Sequence, residues 1–226
     1  MKQVVIIYGP NGAGKGTQAN LLAWEKGFIH FDTGKYLEQF VHDPARQNDP
    51  LVKKERKNFD TGVLCSPPFV LKLVRDKTTE VSRAGFGLVF SGSPRTMYEA
   101  FGDEKNEGEM TLFEREYGKE NIHIFFLEID PKDSILRNKV RLVCSKCRTG
   151  VMYVEGEKHT ICPICGGPLE QRTVDNLAVL ETRIKEYTER TLPIFKELEK
   201  RGYKIIKIDA RPTPYIVHEA IIKHIG

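Results

Sequence analysis

Apolar residues along this chain gather in short runs, separated by longer amphipathic stretches. Val4-Val5-Ile6-Ile7-Tyr8 is the first run. It is unbroken, as in a strand covered on both faces. Residues 28–31, 86–90, 122–127 and 203–208 repeat the signature. Between them, residues 17–24, 34–42, 69–83, 133–140, 176–200 and 214–224 carry helix-compatible patterns. Alternating strands and helices predict an α/β fold: a mostly parallel sheet with helices on both faces. Such sheets bind ligands at the carboxyl ends of their strands.

Two segments interrupt the alternation. Residues 33–69 are polar and mainly helical, and residues 142–171 read as short β-ribbons holding cysteine pairs. Both are expected to be inserted lobes over the ligand-binding edge. Residues 101–118 are acidic and glycine-containing and read as a surface loop with a short helix.

Composition adds bounds. The 226 residues are 40% hydrophobic and 29% charged, as in a soluble globular domain with a substantial core. A net charge of +4 suits an anionic ligand without pointing to nucleic acid. No apolar run reaches membrane-spanning length, and the first strand starts with no signal peptide before it, so no membrane partner and a cytoplasmic location are expected.

The strongest chemical signal is Gly9-Pro10-Asn11-Gly12-Ala13-Gly14-Lys15-Gly16-Thr17, lying between the first strand and first helix. Glycines let backbone amides converge on an anion, and the following helix turns its free N–H groups toward it. Lys15 supplies a point charge for the outer phosphates, and Thr17 a hydroxyl near an expected Mg2+. Gly16 separates lysine from threonine, where the strict pattern has none. The context predicts a P-loop NTPase-type core.

Cys144-x2-Cys147 and Cys162-x2-Cys165 stand fourteen residues apart. Four thiolates at this spacing can close a structural Zn2+ site in a reducing compartment, the alternative being two disulfides. The gap is slightly shorter than usual for such sites. Gly166-Gly167 allow the tight turn a cysteine knuckle needs. Lys139, Arg141, Lys146, Arg148 and Lys158 make this lobe basic, but no aromatic stacking run accompanies them, which argues against nucleic acid. Cys65 stands apart and reads as a core or interface residue.

Phosphoryl transfer is mostly positioning and electrostatic stabilisation of charged oxygens. Arg95 directly follows the third strand, Arg137 and Arg141 are expected on one helix face, and Arg172 and Arg183 follow the cysteine lobe about three turns apart. All five stand at lobe junctions.

Together these residues resemble the adenylate kinase family of nucleoside monophosphate (NMP) kinases, in order and over nearly the whole chain. Residues 9–17 resemble its phosphate loop. Asp32-Thr33-Gly34 is similar to its Ser-Thr-Gly, Gly62-Val63-Leu64 to the turn closing the monophosphate lobe, and Gly92-Ser93-Pro94-Arg95-Thr96 to Gly-Phe-Pro-Arg-Thr. Arg137-x3-Arg141-x2-Cys144 and Gln171-Arg172 resemble the two junctions of a zinc-bearing lid, and Asp209-Ala210-Arg211-Pro212 the late turn at the donor base. The resemblance implies a P-loop core of residues 1–32, 62–141 and 172–226, a helical NMP-binding lobe at 33–61 and a zinc lid at 142–171. It implies the reaction ATP + AMP ⇌ 2 ADP with Mg2+, serving nucleotide homeostasis, in a monomer whose lobes close over the transfer.

Carried over by position, Gly12, Ala13, Gly14, Lys15, Gly16 and Thr17 would hold donor phosphates, with Arg137 and the Arg211 backbone at the donor base. Arg95, beside Gly92, would hold the acceptor phosphate. Arg141, Arg172 and Arg183 would bridge both substrates. Thr33, Leu64, Cys65 and Glu99 would line the acceptor nucleoside pocket.

Four positions depart from the family pattern. Ser91 replaces an aspartate that helps order hydrated magnesium, and Val174 replaces the first of two lid-exit aspartates, leaving Asp175. Glu38 replaces an arginine for the acceptor phosphate, with Lys35 nearby. Glu99 replaces the glutamine that reads adenine. An ionised glutamate only accepts, which suits guanine's N1–H and amine, or cytosine's amine, better than adenine's N1. Two further readings follow: a kinase for GMP, CMP or UMP, and a weakly active nucleotide sensor.

Overall fold

The computed structural model describes residues 2–147, 149–151, 160–171 and 177–226. Its centre is a parallel five-stranded sheet of order β2-β3-β1-β4-β8. The strands are β1 (Val4–Tyr8), β2 (Ile29–Phe31), β3 (Leu88–Ser91), β4 (Ile122–Glu128) and β8 (Ile205–Asp209). Every residue of β1 is buried, because it lies mid-sheet with helices on both sides. Val4, Ile6 and Tyr8 face a core shared with Val74, Phe113 and Leu198. Val5 and Ile7 face another, shared with Leu22, Phe125 and Val217. These packing residues come from α4 (Pro67–Arg83), α6 (Glu109–Tyr117) and α9 (Leu192–Lys200) on the first face, and from α1 (Lys15–Lys26), α10 (Pro214–Ile222) and, for Phe125, β4 itself on the second.

Between β2 and α4 lie α2 (Thr33–Val41), a 3-10 turn (Pro44–Arg46) and α3 (Pro50–Asp60). Aspartates start all three: Asp32, Asp43 and Asp49 accept from the amides of Lys35, Ala45 and Leu51. Each satisfies an amide with no partner inside its helix. Helix α5 (Met97–Phe101) follows β3, and α7 (Pro131–Lys139) follows β4. The cysteine lobe is a small antiparallel sheet of order β6-β5-β7, from Gly150–Val151, Leu142–Cys144 and Leu169–Glu170.

Three expectations are corrected. Residues 101–118 contain the expected short helix, α6, but it is not at the surface: it buries Met110, Leu112, Phe113 and Tyr117. The acidic composition conceals that this helix has an apolar face in the core. It also buries Glu109, whose carboxylate oxygens have no hydrogen-bond partner among the described residues. Burial and then the charge of Glu99 push this acid well above the usual carboxylate range. Second, α7 stops at Lys139 with Val140 as its C-cap, so Arg141 lies beyond the helix and shares no helical face with Arg137. Third, residues 176–200 are not one regular helix. Helix α8 (Leu177–Glu186) passes through a π turn (Tyr187–Thr191) into α9. Pro193, in the first turn of α9, has no N–H to extend the α-helical ladder backward.

Candidate active site

The glycine loop follows β1 directly. Gly14 is the N-cap of α1 at φ 90°, a left-handed conformation that side chains disfavour. A Cβ at Gly14 or Gly16 would meet nothing within 4 Å, whereas one at Gly9 would strike the Leu127 carbonyl at 2.8 Å. The loop is therefore tight against β4 and open toward a cavity of about 910 Å3.

Lys15 reaches back over the loop, its Nζ donating to the carbonyls of Gly9 and Pro10, each at 2.8 Å. Burial, then the charges of Arg95, Arg183 and Arg141, lower its pKa to about 7, with Asp32 opposing them. Four cations from α1, the β3–α5 loop, the α7–β5 junction and α8 thus converge. This concentration of charge calls for a polyanion.

Arg95 is held in place, its Nε donating to the Gly92 carbonyl at 2.8 Å. Its own carbonyl accepts from Thr191 Oγ1 at 2.9 Å, which the π turn brings to it. Gly92 packs beside the lysine, and a Cβ there would lie 3.3 Å from Lys15 Cε. Arg137 donates to the carbonyls of Ala210 and Arg211 at 2.9 and 3.0 Å, tying α7 to the end of β8. The Arg211 side chain turns to Asp209, at 2.8 Å, while its carbonyl accepts from Arg137.

Thr33, Leu64, Cys65 and Glu99 line the same cavity. Thr33 is buried, and its hydroxyl has no partner among the described residues. The Leu64 amide donates to Glu186 at 3.3 Å, and the Cys65 thiol lies 3.7 Å from the Glu55 carbonyl. Glu99 is only 1% exposed. It accepts from the Arg95 amide at 2.8 Å and the Thr96 hydroxyl at 2.9 Å. Burial raises its pKa while these bonds oppose the rise. Glu38 is not among the lining residues, and Lys35 points its ammonium 4.0 Å from Asp32. Arg172, Val174 and Asp175 lie outside the described residues, as do Arg148 and Lys158.

Sequence reasoning missed His30, Asn20 and Glu186, which also line the cavity. His30 bridges Asn20 Oδ1 at 2.7 Å and Ser91 Oγ at 3.0 Å. A polar residue within a three-residue apolar strand was the available signal.

The four paired cysteines are free thiols, so the disulfide alternative fails. Their sulfurs all lie within 4.8 Å of one another, with Cys144 to Cys165 at 3.5 Å and Cys147 to Cys162 at 3.7 Å. Tetrahedral zinc with bonds near 2.3 Å sets sulfurs about 3.8 Å apart, so this donor set fits the metal. Amides of Lys146 and Cys147 point at Cys144 Sγ, and that of Ile164 at Cys162 Sγ. Such amides stabilise thiolates.

A glycine loop between a buried strand and a helix, facing converging cations, defines a P-loop phosphotransferase site. Residues 8–142 match the family described as "AAA domain". Over 220 residues the chain is 29% identical to an adenylate kinase of Chlamydia pneumoniae, covering 97% of this chain and 96% of that one. It is 30% identical to an adenylate kinase of Syntrophobacter fumaroxidans over 208 residues, 91% of each chain. It is also 30% identical to one of Rhizorhabdus wittichii over 201 residues, 88% of each. The chain belongs to the adenylate kinase family. Among the described residues no helix is long and apolar enough to cross a membrane.

Proposed function

We propose that this chain transfers the γ-phosphoryl group of ATP to AMP, giving 2 ADP. The observation that carries the reading is that Arg95, Arg141 and Arg183 line one cavity with the buried Lys15, whose basicity burial and then these arginines depress. A pure nucleotide sensor has little use for cations gathered from separate elements around the transfer point. An acceptor phosphate oxygen attacks the γ-phosphorus, the bond to the β-bridging oxygen breaks, and that oxygen leaves with ADP. Lys15 and the loop amides hold the donor phosphates. Arg95 holds the acceptor phosphate, and Arg141 and Arg183 stabilise equatorial charge, a task the family resemblance extends to Arg172.

Oxygen donors suited to Mg2+, Thr17 and Asp32, line the cavity, and the metal bound with ATP would neutralise phosphate charge. Zn2+ on Cys144, Cys147, Cys162 and Cys165 would be structural, because four thiolates leave no open position. Residues 33–61 and 142–171 act as lobes closing over the core of 1–32, 62–141 and 172–226, in a monomer. Free thiols suit the reducing cytoplasm.

Glu99 favours a second reading, in which the acceptor is GMP or CMP, because a buried carboxylate among the cavity-lining residues can take only donors from a base. The test is a coupled assay with ATP, Mg2+ and each of AMP, GMP, CMP and UMP. AMP is expected to be fastest. Faster transfer to another monophosphate selects the second reading, and no transfer to any overturns both.

A further inference from the structure

We propose that Asp32 is the carboxylate through which this chain orders the hydrated magnesium of its donor nucleotide. The inference rests on the kinase reading above. A P-loop enzyme holds magnesium with the hydroxyl that follows its loop and with an aspartate from a second element. Here β3, the strand beside β1, ends on Ser91, which carries no charge.

Ser91 is also engaged. Its hydroxyl lies 3.0 Å from His30 Nε2, and His30 Nδ1 lies 2.7 Å from Asn20 Oδ1. Asn20 Oδ1 only accepts, so Nδ1 carries the proton, and in the neutral ring Nε2 takes the Ser91 hydroxyl proton. Burial favours that neutral ring. Ser91 is left with lone pairs for a water but no charge for a cation.

The charge stands one strand over. β2 runs parallel to β3 with Phe31 opposite Phe90. The next residue of each, Asp32 and Ser91, therefore leaves the sheet side by side, about 4.8 Å apart in strand spacing. Asp32 lines the cavity with Lys15 and Thr17 and raises the basicity of Lys15 against the surrounding arginines. One carboxylate oxygen caps α2 by accepting the Lys35 amide at 3.1 Å. The other lies 4.0 Å from the half-exposed Lys35 ammonium, a loose contact.

The other carboxylates lining the cavity are held by partners of their own. Glu99 accepts from Arg95 and Thr96. Glu186 accepts from Leu64 and pairs with Arg190 at 3.0 Å. Among the described lining carboxylates, Asp32 is the one placed beside Ser91, and one of its oxygens meets only the loose Lys35 contact. The resemblance pairs Ser at position 32 with Asp at position 91, and this chain carries the reverse. Magnesium keeps several of its waters, so a carboxylate acting through water tolerates that displacement.

The test is a titration of Mn2+, read by electron paramagnetic resonance, into protein saturated with the non-hydrolysable ATP analogue AMP-PNP. Asp32→Ser keeps an oxygen to cap α2. It is expected to weaken Mn2+ binding by about tenfold or more. Metal-free AMP-PNP should bind as well as before or more tightly, since a negative charge is gone. Adding Ser91→Asp to that variant should restore the Mn2+ affinity. Unchanged Mn2+ affinity in Asp32→Ser overturns the proposal. So does equal weakening of metal-free and metal-loaded binding, which would make Asp32 a structural cap. Wild-type protein that binds no AMP-PNP with or without metal would overturn the kinase reading, and the proposal with it.

Discussion

The glycine loop and the cysteine knuckles solve one problem on different foundations. Each turns backbone amides toward an anion, a phosphate in the first case and a thiolate in the second. The loop hangs from β1, whose side chains are at most 1% exposed, and is wedged against Leu127 of the next strand. Among the described residues, the knuckles have little core beneath them. Cys144 and Cys162 are buried, but Ile161 and Ile164 are 60% and 72% exposed. Hydrophobic burial fixes the loop before any ligand arrives, whereas the lobe depends on its sulfurs. Preorganisation can thus come from a sheet or, if the four thiolates hold Zn2+ as proposed, from a metal, and only the sheet would survive removal of that metal.

The largest expected effect bears on the loop. Lys15→Met should lower phosphoryl transfer by about a thousandfold or more. Its thermal midpoint should hold or rise, because the lost ammonium is one that burial and three guanidiniums disfavour. A variant with wild-type turnover would remove the loop from the chemistry. A variant that unfolds would show that the loop is not built independently of its charge.

The knuckles should behave in the opposite way. Cys144→Ser, or chelation, should release about one zinc per chain. Amide exchange should accelerate at Cys147 and Ile164 while the β1 amides stay protected, as for two separately held units. Acceleration throughout β1 would merge the two regions into one cooperative unit. Protein that contains no zinc by elemental analysis would defeat the assignment of metal.

These contrasts were unevenly legible in the sequence. The strand before the glycines, the loop and the two cysteine pairs were plain, because each is a local pattern whose spacing follows from backbone geometry. Arg95 was found from its place after an apolar run. The short helix α6 was expected, but its burial was obscured because Glu109, Glu114 and Glu116 hide an apolar stripe of Met110, Leu112 and Phe113. The π turn was invisible, since it arises where Pro193 meets tertiary demand and not from periodicity. His30 could not be tied to Ser91, nor Asp32 set beside it, because strand order is a tertiary fact. Along the chain Asp32 and Ser91 are far apart, yet β2 and β3 are neighbours.

Lys15 also allows a subtler test of loop preorganisation. With a pKa of about 7 in the folded chain against an ordinary 10.5, the ligand-free protein binds fewer protons than the unfolded chain between those values. Its stability should therefore rise with pH across that window, as the cost of the buried ammonium, fully present below about pH 7, is relieved. A phosphate in the loop restores the charge. Nucleotide binding near pH 8.5 should thus take up close to one proton, measurable by calorimetry in buffers of different ionisation enthalpy. Binding with no proton uptake would mean that neither burial nor the arginines depress Lys15 in solution.

The smallest effect concerns the proposed acceptor pocket, where the same rigidity holds Glu99. Glu99 is locked by the Arg95 amide and the Thr96 hydroxyl, so it cannot swing away from an unsuitable base at low cost. Glu99→Gln keeps an acceptor oxygen for the Arg95 amide and adds an amide donor that adenine N1 can use. It also removes a negative charge that opposes ionisation of the buried Glu109. The ratio of kcat/KM for AMP over GMP should rise by about tenfold, the worth of one satisfied hydrogen bond in a closed site. If the ratio does not move, Glu99 serves Arg95 and Thr96 alone, and the acceptor base is read by the residues around Thr33 and Leu64 instead.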